Sequence, residues 1–386
     1  MAAAHTQRQG PLAGVRIIEL AGLGALPFGS LKLADMGADI VRVDRASDVP
    51  SDPQPRPRSA WDRGRRSVAV DLKHPGGVEA VLQLAEQADV FMESFRPGVA
   101  ERLGLGPDTL LARNPRIVYG RLTGWGQQGP LAHSAGHSLN YESITGVIRA
   151  VGPHGGPPVP LLQIIGDFAG GGLLLAYGVV CALLEARQSG KGQVVDAAMV
   201  DGTLSLLAPY FGMAQSGFHT DDMGTNLFDG GAPYYNVYET ADGKYISVAP
   251  IEAHFYALLV DKMGLAGEAL PAQNDRSQWP QLRARFAEVF RTKTREQWCS
   301  LLEGTDACFA PVLTFNEARA YPHNVERHAF VGDAPEVAVA PRLSRTPGDP
   351  TTPSPAYPGA DTTAVLTEFG FTAGQIDELR SSGAIK

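Results

Sequence analysis

Between Val15 and Arg45 the chain spells a strand, a glycine-rich turn, a helix and a second strand, and few folds accept such a unit. Val15-Arg16-Ile17-Ile18-Glu19-Leu20 alternates as a strand does and runs into Gly22-Leu23-Gly24-Ala25-Leu26-Pro27-Phe28-Gly29. A helix is expected over Ser30–Met36, stopped by Gly37, and a strand over Ala38–Val43, ending at Asp44-Arg45. The alternation continues with a strand at Val68–Leu72, a helix at Pro75–Gln87 with proline near its start, and strands at Val90–Glu93 and Arg116–Leu122. Strands separated by helices imply a parallel sheet covered on both faces, hence an α/β, Rossmann-like large domain.

The glycine-rich turn raises the question of a nicotinamide dinucleotide. That fingerprint, G-x-G-x-x-G, needs its third glycine for close helix packing, and here the position is Pro27. Asp44 stands about twenty residues on, where a ribose-binding acid is expected. Two readings stay open, a dinucleotide site and a Rossmann-like unit without one. Arg63, Arg65 and Arg66, flanked by Arg42 and Arg45, are open in the same way. Guanidinium forks suit phosphates, so the run reads either as a phosphate-binding patch or as a solvated loop.

Further along, an apolar helix is expected over Gly170–Gln188, ended by Ser189-Gly190-Lys191-Gly192, then a strand over Gln193–Met199 and a helix over Thr203–Met213. Ser216–Asn226 is polar and reads as a linker. A second unit starts near Asp229. It holds strands at Tyr234–Glu239 and Tyr245–Ala249 joined through Ala241-Asp242-Gly243, helices from Pro250 to Met263, over Trp279–Arg291 and over Thr294–Leu302, and a closing strand at Phe309–Val312. Prolines recur from Ala338 to Gly359 as in an extended strap, and Asp361 and Thr372 cap two short last helices. The expected division is a large domain over residues 1–200, a linker over 201–228, a small α+β domain over 229–318, and a return over 319–386 that completes the large domain.

A net charge of −8 argues against general nucleic-acid binding, while leaving room for one anionic ligand held by local arginines. Cys181, Cys299 and Cys308 are odd in number and lie at no metal-ligand spacing, which points to a reducing compartment without a disulfide framework. The first ten residues lack a signal peptide's apolar core, Leu173–Leu184 is too short a run to span a bilayer, and Ala384-Ile385-Lys386 is not a peroxisomal address. The expectation is a cytoplasmic protein with no membrane partner.

Chemistry concentrates between Ala135 and Gly172. His137 follows Ala135-Gly136, and thirty residues later Asp167 stands in Gly166-Asp167-Phe168-Ala169-Gly170-Gly171-Gly172. A histidine and an aspartate are both plausible proton carriers. The three glycines let the backbone approach a ligand, and N–H groups at the helix start near Asp167–Gly170 would stabilise developing negative charge. The bland alternatives are a surface histidine and a helix-capping aspartate.

Ala135-Gly136-His137, Gly166-Asp167-Phe168 and Asp229-Gly230-Gly231-Ala232-Pro233-Tyr234 resemble the α-methylacyl-CoA racemases, a branch of the family III CoA-transferases, and the resemblance runs from about Leu12 to about Arg345. It implies a Rossmann-like unit used without NAD, and epimerisation of a 2-methylacyl-CoA through an enolate with no metal or redox cofactor. It implies His137 and Asp167 as the proton carriers and Glu252 as the carboxylate that orients the histidine, a residue otherwise read as a first-turn glutamate favoured by the helix dipole. Arg45, Val70, Leu72, Arg96 and Arg102 are implied to line the CoA groove, and Tyr141 the acyl end. The resemblance also implies an interlocked homodimer, in which Glu252 of one chain meets His137 and Asp167 of the other. A transferase of the same fold would instead use Asp167 as a nucleophile. The sequence departs from the family at Ser138, where aspartate is usual and would raise the histidine pKa, at Gln163, where asparagine is common, and around Glu252.

Overall fold

The computed structural model describes residues 8–332 and 336–386, and the chain forms two units. The first takes in the chain up to Thr145, Leu161–Leu206 and Phe330–Lys386. Its strands are β1 (Arg16–Leu20), β2 (Asp39–Arg45), β3 (Arg65–Val70), β4 (Val90–Glu93), β5 (Val118–Thr123) and β6 (Val194–Ala198). They form one six-stranded sheet in the order β3-β2-β1-β4-β5-β6, every pairing parallel. Four of the five residues of β1 and all of β4 and β5 are buried, as befits strands covered on both faces.

Helices α1 (Ala25–Asp35), α2 (Pro75–Glu86), α3 (Val99–Arg102), α4 (Pro107–Arg113) and α5 (Ser138–Ser143) belong to the same unit. One face of the sheet packs Ile18, Val41, Val68 and Phe91 against α2 and α4. The other packs Ile17, Ile40, Val90 and Met92 against α1 and α6 (Leu174–Ser189). Helix α1 begins at Ala25, five residues earlier than its sequence suggests. Pro27 then falls in the first turn, where its missing N–H would have had no intrahelical partner.

The glycine-rich stretch also starts its helix early. Ile164–Leu173 winds as a π-helix that runs straight into α6, entered through Leu162 and Gln163 in left-handed conformation. The combined helix Ile164–Ser189 is long and apolar enough to cross a membrane by length and composition alone. Leu175, Val179, Ala182 and Leu183 on it nevertheless belong to the core over the sheet. The glycines are required by packing. A Cβ on Gly172 would lie 2.3 Å from the Ala25 carbonyl oxygen, and one on Gly29 2.5 Å from the Gly172 oxygen, so α1 and the π-helix meet backbone to backbone. Across the other side, helix α7 (Met199–Leu206) approaches in the same way, since a Cβ on Gly202 would lie 1.9 Å from the Gly170 oxygen.

For Arg42, Arg63, Arg65 and Arg66 neither sequence reading holds, because their charges are taken up inside the unit. Arg63 binds Asp35 and Glu336, Arg66 binds Asp39 and Glu368, and Arg42 binds Asp44 and Asp62. Arg65 is wholly buried against Glu19 at 2.7 Å and also donates to the carbonyl oxygens of Trp61 and Pro27, tying β3 to β1 and α1.

The second unit comprises Gly146–Pro160 and Leu207–Ala329. Helix α8 (Ala208–Gln215) opens its longer segment. Strands β7 (Asn236–Glu239), β8 (Tyr245–Val248) and β9 (Phe309–Val312) make an antiparallel sheet in the order β7-β8-β9. Helices α9 (Ala253–Lys262), α10 (Trp279–Phe290) and α11 (Arg295–Leu302) close a core of Ile246, Phe286, Phe290 and Trp298 with it, and α12 (Phe315–Ala320) and α13 (Pro322–Glu326) follow. The chain then returns to the first unit through a short antiparallel pair, β10 (Phe330–Val331) and β11 (Glu336–Val337). It ends in α14 (Thr362–Glu368) and α15 (Ala373–Ser381), with Ile385 bridged to Val70 of β3.

Candidate active site

In open parallel sheets the crevice for a ligand forms beyond the carboxyl ends of the strands, where the strand order reverses. Here the reversal falls between β1 and β4. A cavity of about 920 Å³ opens there, lined by Gly22–Ala25 after β1, Arg45 at the end of β2, Ser94–Pro97 after β4 and Gly124-Trp125 after β5. His137, Tyr141 and Asp167 complete its wall. The fold thus brings five of the sequence-predicted site residues to one cavity: Arg45, Arg96, His137, Tyr141 and Asp167.

His137 is the residue just before α5, exposed, with its backbone N–H donating to the Asn140 side chain at 3.0 Å. Tyr141, one turn into α5, fixes the approach to it. Its hydroxyl donates to the Gly136 carbonyl, and its ring stands edge-on to Trp125 at 4.7 Å. Glycine is required at 124, where a Cβ would sit 2.0 Å from that ring.

Asp167 lies in the first turn of the π-helix, half-buried, with Phe168 beyond it stacked on Phe28 of α1 at 4.7 Å. Its carboxylate leans over the start of α1, where a Cβ on Gly24 would be 3.0 Å from Oδ2. Burial pushes the Asp167 carboxyl above the usual range, Glu142 pushes the same way, and Ser138 and His137 pull it down. Burial also raises Tyr141, reinforced by Asp167 and opposed by Arg96.

Two of the amides expected to meet developing charge are engaged, Asp167 N–H with Ser138 Oγ at 3.1 Å and Phe168 N–H with the Gln163 carbonyl at 3.2 Å, and the preceding Gly166 N–H donates to Glu142 Oε1 at 2.8 Å. The helix starts that border the cavity are instead those of α1, whose N-cap Gly24 makes no side-chain hydrogen bond, and of α5 beside His137. First-turn N–H groups have no partner within their own helix.

The remaining predicted residues lie elsewhere. Val70 is buried in the core at the end of β3, in register with Arg45 of β2, and Leu72 packs partly buried nearby. Arg102 is exposed at the end of α3. Glu252 is in the second unit, exposed, at the N-cap of α9. Asp44 lines the cavity, but its carboxylate accepts from Arg42 at 3.0 Å and from the Ser67 hydroxyl. Glu142 went unnoticed in the sequence, since its partners Ser138 and Gly166 are set by the fold.

A Rossmann-like sheet with a histidine, a half-buried aspartate and two arginines at its switch point defines a class of site. CoA-transferase family III matches residues 12–362, and the chain belongs to that family. The chain is 43% identical over 378 residues to the α-methylacyl-CoA racemase of Mus musculus, covering 97% of each, and 41% identical over 384 residues to that of Homo sapiens, again covering 97% of each. The crystal structure of a CAIB/BAIF family protein from Brucella suis superposes with a TM-score of 0.81 at 24% identity, covering 94% of this chain and 100% of that one, and shares the fold.

Proposed function

We propose that this protein epimerises 2-methylacyl-CoA thioesters at the α-carbon, as an α-methylacyl-CoA racemase. The observation that carries the proposal is that His137 and Asp167 line the same cavity. Inversion needs one group to remove the α-proton and another to return a proton on the opposite face. His137 and Asp167 take these roles, each serving as base in one direction and acid in the other. The raised Asp167 carboxyl is a stronger base than an exposed aspartate would be, which suits a weak carbon acid. The enolate oxygen is met by the amides at the starts of α5 and α1, where helix dipoles favour negative charge.

The CoA portion follows the strand ends. Arg45 and Arg96 in the cavity, with Arg102 further out, bind its phosphates, and the β3 end at Val70 and Leu72 flanks its adenine. The protein works as an interlocked homodimer in which Glu252 of one copy orients His137 of the other. The support for this arrangement and for the groove assignments is the family resemblance. The test is to incubate the protein with (2R)-2-methylacyl-CoA, without acceptor acid, and to separate the epimers. Formation of the 2S epimer, abolished in His137→Ala and in Asp167→Ala with CoA affinity nearly unchanged, is the expected result. CoA transfer to an added carboxylic acid without epimerisation would instead make Asp167 a nucleophile and refute the proposal.

A further inference from the structure

Behind the cavity wall lies a buried polar group that the mechanism above does not use. Glu142 is 1% exposed, on the inner side of α5. Its Oε1 accepts two hydrogen bonds at 2.8 Å, from the Ser138 hydroxyl one turn back and from the Gly166 N–H. Ser138 Oγ in turn accepts from the Asp167 N–H at 3.1 Å. A backbone N–H can only donate, so the Ser138 oxygen faces the Asp167 amide as an acceptor. The two amide links are fixed in direction, Gly166 N–H to Glu142 Oε1 and Asp167 N–H to Ser138 Oγ. The fit is tight, for a Cβ on Gly166 would lie 2.6 Å from Ser138 Oγ and 2.9 Å from Glu142 Oε1.

We infer that Glu142, acting through Ser138, is a positioning residue for the proton carrier Asp167: it clamps the Gly166–Asp167 backbone to α5, the helix that also carries His137 at its start. One side chain thereby sets the spacing of both carriers. The inference rests on the function proposed above. The hydroxyl at 138 supplies the acceptor that the Asp167 amide uses.

The same carboxylate acts on Asp167 through space. Around Asp167 the ionisable groups are Glu142, which raises its pKa, His137, which lowers it, and Tyr141, itself in range of Arg96. On the other elements packed against the π-helix, Lys32 and Asp35 of α1 are paired with each other and Asp35 with Arg63. Arg121 of β5 pairs with Glu93 and Glu101 and acts, with Asp201 of α7, on Asp196 of β6. Helix α6 contributes Tyr177, Cys181, Glu185 and Arg187, all beyond Leu173.

Three variants separate clamp from charge. Glu142→Gln presents a carbonyl oxygen able to accept both donors while removing the charge, Glu142→Ala removes both, and Ser138→Ala removes the middle link. Turnover should fall about 10- to 100-fold in Glu142→Ala and Ser138→Ala, with KM for the acyl-CoA within about twofold. In Glu142→Gln most turnover should return, with the pH–rate limb of Asp167 displaced to lower pH because a like charge is gone. Amide hydrogen exchange at Gly166 and Asp167 reads the clamp without activity: protected in wild type and Glu142→Gln, faster in Glu142→Ala. Unchanged exchange in Glu142→Ala would overturn the inference even if the chain is a racemase. A wild type that fails to epimerise, with the exchange pattern as expected, would sink the proposed function and leave the clamp standing. Equal loss of turnover at every pH in Glu142→Gln and Glu142→Ala, accompanied only by a lower Tm, would reduce Glu142 to a structural residue and also overturn the inference.

Discussion

Replacing Gly172 by alanine tests whether helix packing holds the site in place. The new Cβ would stand 2.3 Å from the Ala25 carbonyl oxygen, 2.8 Å from Gly29 N and 3.1 Å from Phe28 Cδ1. A comfortable carbon–oxygen contact is roughly 3.3 Å, so α1 and the π-helix must part by about 1 Å. Overpacking of this kind costs about 1–3 kcal/mol, and alanine's better helix propensity returns about 1 kcal/mol, leaving a net loss of about 0–2 kcal/mol. Function should suffer more than stability. Asp167 belongs to the same π-helix and leans over Gly24 at the start of α1, so a shift of this size should lower turnover about 100-fold. Gly212→Ala is the control. It is a helical glycine with nothing within 4 Å of its Cβ position, and it should stabilise by about 0.5–1 kcal/mol with turnover unchanged. Urea denaturation and steady-state epimerisation measure both effects. A Gly172→Ala protein as stable and as active as wild type would refute the packing argument.

Three further outcomes are expected. Arg65→Met should cost about 3–5 kcal/mol in denaturant titrations, since it strands Glu19 in a dry interior, whereas the double variant with Glu19→Met should recover most of the loss. Burial, opposed by the Phe95 amide and Arg121, raises Glu93 to about 7, so its folded-state pKa exceeds the unfolded value and stability is lost as pH rises through about 4.5 to 7; Glu93→Gln should remove about 3 kcal/mol of that slope between pH 4 and 8. Asp167 is also raised, so its ionised form opposes folding above its folded pKa, and Asp167→Asn should show a higher Tm than wild type at pH 7, no gain at pH 3, and no epimerisation.

Periodic apolar patterning made the large sheet readable. β1, β2, β4 and β5 fall within a residue or two of where alternation and glycine punctuation place them, because those signals are local. The arginine run misled because its fate depends on distant partners. Asp35, Glu19 and Asp39 come to Arg63, Arg65 and Arg66 only once β2 and β3 pair beside α1. The triple glycine was legible as a place of close approach, but the thing approaching is the backbone of α1 and α7 rather than a ligand. His137 and Asp167 stood out through their motifs. Glu142 did not, since a glutamate in a short helix is usually solvated, and only the return of the chain at Gly166 buries it.

The central claim is that His137 and Asp167 move a proton on the α-carbon, and incorporation of solvent deuterium tests it most directly. Each epimer of a 2-methylacyl-CoA is incubated separately in D2O with the protein alone, and the α-deuterium content of both epimers is followed by mass spectrometry after chiral separation. The account predicts deuterium in the newly formed epimer from either starting material with wild type, and no opposite epimer from either starting material with His137→Ala or Asp167→Ala. Product formed without deuterium, or full epimerisation in either variant, would contradict it.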